Sequence, residues 1–149
     1  MAQADDPFDL ARFVAAQDGV LETAMAELRA GRKRSHWMWF VFPQIAGLGA
    51  SAMARRYAIS GIEEAQAYLA HELLGPRLKA CARLVMTHEG LSARDIFGAP
   101  DDAKVFSSLT LFAEAAQERS EFSAALDTFF RGARDAATLD RLGTDARLD

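Results

Sequence analysis

The run Trp37-Met38-Trp39-Phe40-Val41-Phe42 is apolar at every position and is closed by Pro43. A strand with one wet face alternates apolar and polar residues, and a surface helix keeps polar residues on one side. This run does neither, so the folded chain must cover it from all directions. Pro43 stops either a helix or a central strand. Ser35 is a good N-cap residue and the flanking sequence reads as helix, so a buried helical turn is expected here in preference to an extended crossing segment. Burial is what these residue types ordinarily do. A functional role would concern the polar neighbours Lys33, Ser35, His36 and Gln44, with Trp37 or Trp39 as a stacking wall.

The rest of the chain reads as helices. Asp6-Pro7 opens the first, with Leu10, Phe13 and Val14 as its stripe. Asp18-Gly19 breaks it. A second helix carries Val20, Leu21, Ala24, Met25 and Leu28 and ends at Gly31. Ser51 caps a short helix through Ile59, and Ser60-Gly61-Ile62-Glu63 reads as a capping box for the next. Gly75-Pro76 starts a longer helix that stops at Gly90. Ser92-Ala93-Arg94-Asp95 is another capping box, and Pro100-Asp101-Asp102 caps a helix from Ala103 to about Gln117. Phe122 to Phe130 and Asp135 to Leu142 complete the series. No alternating strand, repeat or low-complexity linker interrupts it. The expected fold is all-α: one domain over residues 6–142, a compact bundle of about seven to nine short helices at mixed angles, with residues 1–5 and 143–149 as flexible termini.

No apolar run approaches the roughly 20 residues of a membrane span. The N-terminal residues lack the basic start and apolar core of a signal peptide. The lone cysteine, Cys81, cannot form an internal disulfide. A cytoplasmic location is expected, with no membrane partner. The net charge of −4 hides a segregation. Between Glu27 and Glu63 there is no acid and there are six basic residues, Arg29, Arg32, Lys33, Arg34, Arg55 and Arg56. A local positive field of this kind attracts anions whatever the total charge.

The helix from Ala103 carries one apolar stripe, Val105, Leu109, Phe112 and Ala116, and an opposite side with Lys104, Ser107, Ser108 and Leu111. Leu111 does not belong on a wet face, so that side too must be contacted, by a second helix packed over the serines or by a ligand. A helix contacted on both sides belongs at the centre of the fold. Gly47-Leu48-Gly49-Ala50-Ser51-Ala52 fits the G-x-G-x-x-G/A pattern, but Pro43 interrupts the strand that a dinucleotide fold would need. His36, His71 and His88 have no metal-ligand spacing, so no metal and no cofactor are expected. No G-x-S-x-G elbow occurs. Nucleic acid is disfavoured by the net charge and by the expected burial of the tryptophans.

Asp6-Pro7-Phe8, Lys33 with Ser35-His36-Trp37-Met38-Trp39-Phe40-Val41-Phe42-Pro43-Gln44, Arg56-Tyr57-Ala58, Tyr68-Leu69 with His71, Leu74-Gly75 with Arg77-Leu78, Asp101-Asp102, Lys104 and Ser107-Ser108 running into Thr110-Leu111-Phe112 together resemble an uncharacterised bacterial family, a domain of unknown function often labelled calpastatin. The resemblance spans Asp6 to Leu142. Leu109 stands where that family usually has methionine, and Glu72 where it usually has proline. The resemblance implies an all-α, multi-helix domain and no established activity. The calpastatin label is set aside, because proteins of that name resemble disordered repeats.

The residues therefore point to a cytoplasmic domain binding a small anionic ligand, such as a nucleotide or phosphorylated metabolite. Lys33, Ser35, His36, Trp37, Trp39, Gln44, Lys104, Ser107 and Ser108 are the expected ligand-binding set. The alternatives are an enzyme acting on such a ligand, with His36 as the acid/base, and a protein-interaction module without a pocket. The sequence leaves enzyme status and oligomeric state open. The aromatic run and the helix from Ala103 are expected to meet, bringing His36 or Lys33 near Ser107 or Ser108.

Overall fold

A computed structural model describes residues 6–143. Among them are ten helices and no strand: α1 (Ala11–Gln17), α2 (Leu21–Ala30), α3 (Met38–Val41), α4 (Ala52–Arg56), α5 (Ile62–Ala70), α6 (Leu74–Met86), α7 (Ala93–Phe97), α8 (Asp101–Ala116), α9 (Glu121–Phe130) and α10 (Ala136–Leu142). The all-α expectation holds. The count of ten lies just above the expected range of about seven to nine. Of the termini expected to be flexible, residues 1–5 and 144–149 lie outside the described residues, while Gly143 closes α10 in the left-handed region at φ 75°.

Helix ends follow local chemistry in most places. Ser51, Ser92 and Asp135 accept from the backbone three residues on and cap α4, α7 and α10. Asp6 takes the N–H groups of Leu10 and Ala11 at 2.8 and 3.0 Å, so the first helix starts a turn later than Pro7. The Ser60–Glu63 capping box does not form. Glu64 reaches back to the Ser60 N–H at 2.8 Å instead, and Gly61 is the N-cap of α5. Glu64 can do this because it is buried and paired with Arg12 at 2.9 Å, which fixes the carboxylate beside the start of its own helix.

Four helices make the frame. α5, α6, α9 and α8 pack in a closed ring, each against the next. Inside the frame Tyr68 of α5 meets Phe112 of α8 at 5.2 Å, and Phe112 meets Phe122 of α9 at 5.9 Å. α8 also touches α3, α7 and α10, and Ser107 to Ala113 are buried without a break. It is the central helix, as Leu111 on its serine side indicated. α1 joins through Phe13, edge-on to Tyr68 at 5.1 Å. Buried Gln17 ties α1 to its neighbours: its amide donates to the Phe40 carbonyl at 2.7 Å and its oxygen accepts from Arg77 at 3.1 Å.

The aromatic run lies beside this frame. Trp37, Met38, Phe40, Val41 and Phe42 are buried and Trp39 is half-buried. Phe40 meets Tyr57 at 5.4 Å, and Phe42 meets Phe97 of α7 edge-on at 5.8 Å. A single parallel bridge follows the run. The Ile59 N–H donates to the Gln44 carbonyl at 2.9 Å, and Ala46 donates to Ile59 at 2.8 Å. This bridge pins the run to the linker before α5.

Candidate functional site

The helical turn in the aromatic run begins later than Ser35. α3 starts at Met38 with Trp37 as its N-cap, and the Ser35 hydroxyl serves another group. It donates to Glu27 at 2.5 Å. The other Glu27 oxygen accepts from the Arg34 and Ser35 backbone at 2.8 and 3.0 Å and from the Trp37 indole at 2.8 Å. Four donors thus converge on one carboxylate near the end of α2. Burial alone would push the Glu27 carboxyl up. The hydrogen bonds from Ser35, Arg34 and Trp37 outweigh it and bring the group down to about 2. The loop from Arg34 to Trp37 is therefore held by a charge that is present throughout the neutral range.

Lys33 is turned inward. Its ammonium donates to the Ser35 carbonyl at 2.5 Å, pairs with Asp101 at 2.8 Å and lies 5.0 Å from the centre of the Trp37 ring. Its backbone N–H donates to Ile96 at 2.7 Å, which fastens the segment to α7. Asp101 opens α8, and its second oxygen is 3.6 Å from Lys104. Lys104 in turn lies 5.6 Å from the centre of the Trp39 ring. One carboxylate is thus shared by two ammonium groups over two tryptophans, and this trio carries one net positive charge. Lys33, with 7% of its side chain exposed, is the tightly held member; Lys104, at 30%, is the loosely held one.

The serines of α8 part company. Ser107 donates to the Ala103 carbonyl at 3.1 Å and to Asp135 at 3.0 Å, so it belongs to the junction with α10. Thr110 completes that junction by accepting from the Asp135 backbone at 2.9 Å. The Ser108 hydroxyl is wholly buried and has no hydrogen-bond partner among the described residues. Ser108 lies one helical turn beyond Lys104 on the same face. The aromatic run and α8 do meet, as expected, but through Asp101 and Lys104.

His36 is exposed, and its ring makes no hydrogen bond among the described residues. Nothing there orients it as a general base would need. Gln44 is half-buried and contributes its backbone carbonyl to the bridge with Ile59. The other histidines have structural partners: His71 Nδ1 accepts from Leu73 and Leu74 at the start of α6, and His88 Nε2 faces the Leu28 and Arg29 carbonyls at the end of α2. Arg55 is folded back on the Ala50 carbonyl at 2.9 Å. The exposed large apolar side chains found among the described residues, Leu73 and Leu91, flank the two ends of α6, a helix of roughly 20 Å, and do not form one patch.

Sequence reasoning missed Glu27 and gave Asp101 only a capping role. The available signal for Glu27 was its position as the last acid before the acid-free segment. For Asp101 it was the pairing of a lysine before the tryptophans with an acid that opens a central helix.

A family model described as "Protein of unknown function (DUF1810)" matches residues 7–142. The fold is similar to the crystal structure of the conserved hypothetical protein Rv1873 from Mycobacterium tuberculosis, with a TM-score of 0.91 and 55% sequence identity. That match covers 94% of this chain and 100% of the other. No curated protein matches. Neither comparison speaks of calpastatin.

Proposed function

The chain belongs to the DUF1810 family, whose function is unknown, and we propose that it binds a small anionic ligand at the surface shared by Trp39 and Lys104. The observation that carries this reading is the sharing of Asp101 by two lysines. A buried charge needs a partner. Asp101 satisfies Lys33 in full and Lys104 only in part, so Lys104 keeps capacity for a second anion. The half-buried Trp39 beside it offers an apolar wall for a flat group. A nucleotide or phosphorylated metabolite has both features. Ser108, one turn further along the same helix face, is wholly buried and takes no direct part in this surface. In this reading Ser35, Trp37 and Lys33 position the rim through Glu27 and Asp101, His36 and Gln44 stand at its edge, and Ser107 supports α8 from behind. The cytoplasmic setting expected from the sequence goes with it.

Thermal-shift measurements on the full chain with adenosine monophosphate, guanosine monophosphate and inorganic phosphate test the reading, because a ligand that prefers the folded state raises the Tm. At about 100 times Kd the stabilisation is roughly 2.7 kcal/mol, which corresponds to a few degrees for a domain of this size. Lys104→Met should abolish the shift and Trp39→Phe should weaken it. No shift with any of these anions, or a shift that survives Lys104→Met, overturns the assignment.

A further inference from the structure

The end of α2 and the chain after it carry three exposed arginines, Arg29, Arg32 and Arg34. None of their guanidinium groups has an ion-pair partner among the described residues. Helix capping does not use them, because the carbonyls at this helix end are already taken. Glu27 and Leu28 accept from the Arg32 and Gly31 backbone at 3.0 Å each, and His88 Nε2 faces the Leu28 and Arg29 carbonyls. The Glu27 carboxylate is occupied by its four donors from the loop. Lys33 and Ser35 turn inward to Asp101 and Glu27, so Arg32 and Arg34 project from a backbone fixed on its inner side. Beside them stands Leu91, 40% exposed. Its Cδ1 lies 3.3 Å from where a Cβ on Gly31 would stand, so the bare glycine lets Leu91 close over the end of α2. The Leu91 N–H donates to the His88 carbonyl at 2.9 Å, and Ser92 opens the capping box of α7, which holds Leu91 in place. The face thus joins one fixed apolar contact to three unmatched cations.

We propose that this face docks an acidic segment of a partner protein, with carboxylates on Arg29, Arg32 and Arg34 and one apolar side chain on Leu91. Charge complementarity selects an anionic partner, and the guanidinium fork matches carboxylate or phosphate. Leu91 decides between these sources. An acidic peptide can supply an apolar side chain to cover it, whereas a phosphate backbone would leave it wet. Trp37, the tryptophan nearest these arginines in the chain, is fully buried and offers a nucleobase no stacking surface. The net charge of −4 also repels a long polyanion. Glu89, two residues before Leu91, sets the direction: the partner's acids run from Leu91 toward Arg34. The face uses neither Trp39 nor Lys104 and is independent of the small-anion site.

Fluorescence anisotropy of the full chain with a labelled glutamate-rich peptide carrying one central leucine tests the assignment. At about 0.15 M ionic strength, where long-range attraction is screened, the peptide should bind with a Kd below about 1 mM. Glutamine in place of its glutamates should weaken binding at least about tenfold, as should Arg29→Gln, Arg32→Gln and Arg34→Gln combined. Serine in place of its leucine, or Leu91→Ser in the protein, should each weaken binding about threefold or more. All four protein positions are exposed, so the variants keep the fold, which circular dichroism checks. Lys104→Met should leave binding unchanged. The assignment falls if the peptide does not bind below about 1 mM, or if its glutamine form binds as well. It falls equally if the triple arginine variant binds normally, or if neither leucine exchange has an effect. A single-stranded oligothymidine that binds more tightly than the peptide overturns it in favour of a nucleic-acid face.

Discussion

Replacing Glu27 by glutamine would leave one neutral carbonyl and one amide where four donors now converge. The amide would point its own hydrogens at a donor. Hydrogen bonds to a charged group contribute about 1.5–3 kcal/mol, so Glu27→Gln should lower stability by about 2 kcal/mol in urea unfolding. The folded carboxyl titrates at about 2 against an ordinary 4.5, so this stability is present above pH 4.5 and is lost as the pH falls through about 2. Urea midpoints measured across that window should fall more steeply in the wild type than in Glu27→Gln. Ser108→Ala should act in the opposite sense. It removes a buried hydroxyl without a partner, whose burial costs about 1–3 kcal/mol, and should raise stability by about 1 kcal/mol; a loss on the same urea assay would mean that the hydroxyl has a bound water as partner. Residue type alone named Lys33, Trp37, Trp39 and Lys104 as a group. It could not give their partners, because Glu27 lies eight residues from Ser35 and Asp135 lies 28 from Ser107. Local rules reach about one helical turn, which is why Ser35 reads as a cap while the folded chain uses it elsewhere.

Helices were the most legible level, because stripes and caps are themselves local. The Ser92 and Asp95 box, the Ser51 cap and the Asp135 cap all sit where the sequence puts them. What it does not display is how closely one helix approaches another. A Cβ on Gly75 would lie 2.1 Å from the Leu69 carbonyl oxygen, which is backbone and cannot swing aside. The corner between α5 and α6 therefore depends on glycine for closeness of approach, in addition to its place at a helix start. Gly75→Ala should cost about 3 kcal/mol, since α6 must shift from the frame, whereas Gly90→Ala meets open space and should change little in the same thermal unfolding series. At the other end of α8, Gln117 holds φ at 66°, a region that ordinary side chains occupy at a cost. Gln117→Gly should raise stability by about 0.5–1 kcal/mol.

Across the whole molecule, protection should be uneven. The ring of α5, α6, α8 and α9 buries Tyr68, Phe112 and Phe122 completely, whereas α4 buries no residue at all. Amide hydrogen exchange should be slowest at Leu109 to Phe112 and fastest, within the helices, at Ala52 to Arg56. Equal protection in the two segments would contradict the division into frame and appendage. The aromatic run belongs to neither part until late. Phe42 finds Phe97, and Lys33 finds Asp101, more than 50 residues further along the chain. On the ribosome, at about 5–20 residues per second, the six-residue apolar stretch must wait for several seconds before α7 and α8 emerge to cover it. Nascent chains halted near residue 90 should therefore be captured by chaperones that hold exposed apolar segments, and chains whose α8 has cleared the exit tunnel should be released. The order in which this protein is made thus leaves its stickiest segment bare for a fixed interval in every round of synthesis.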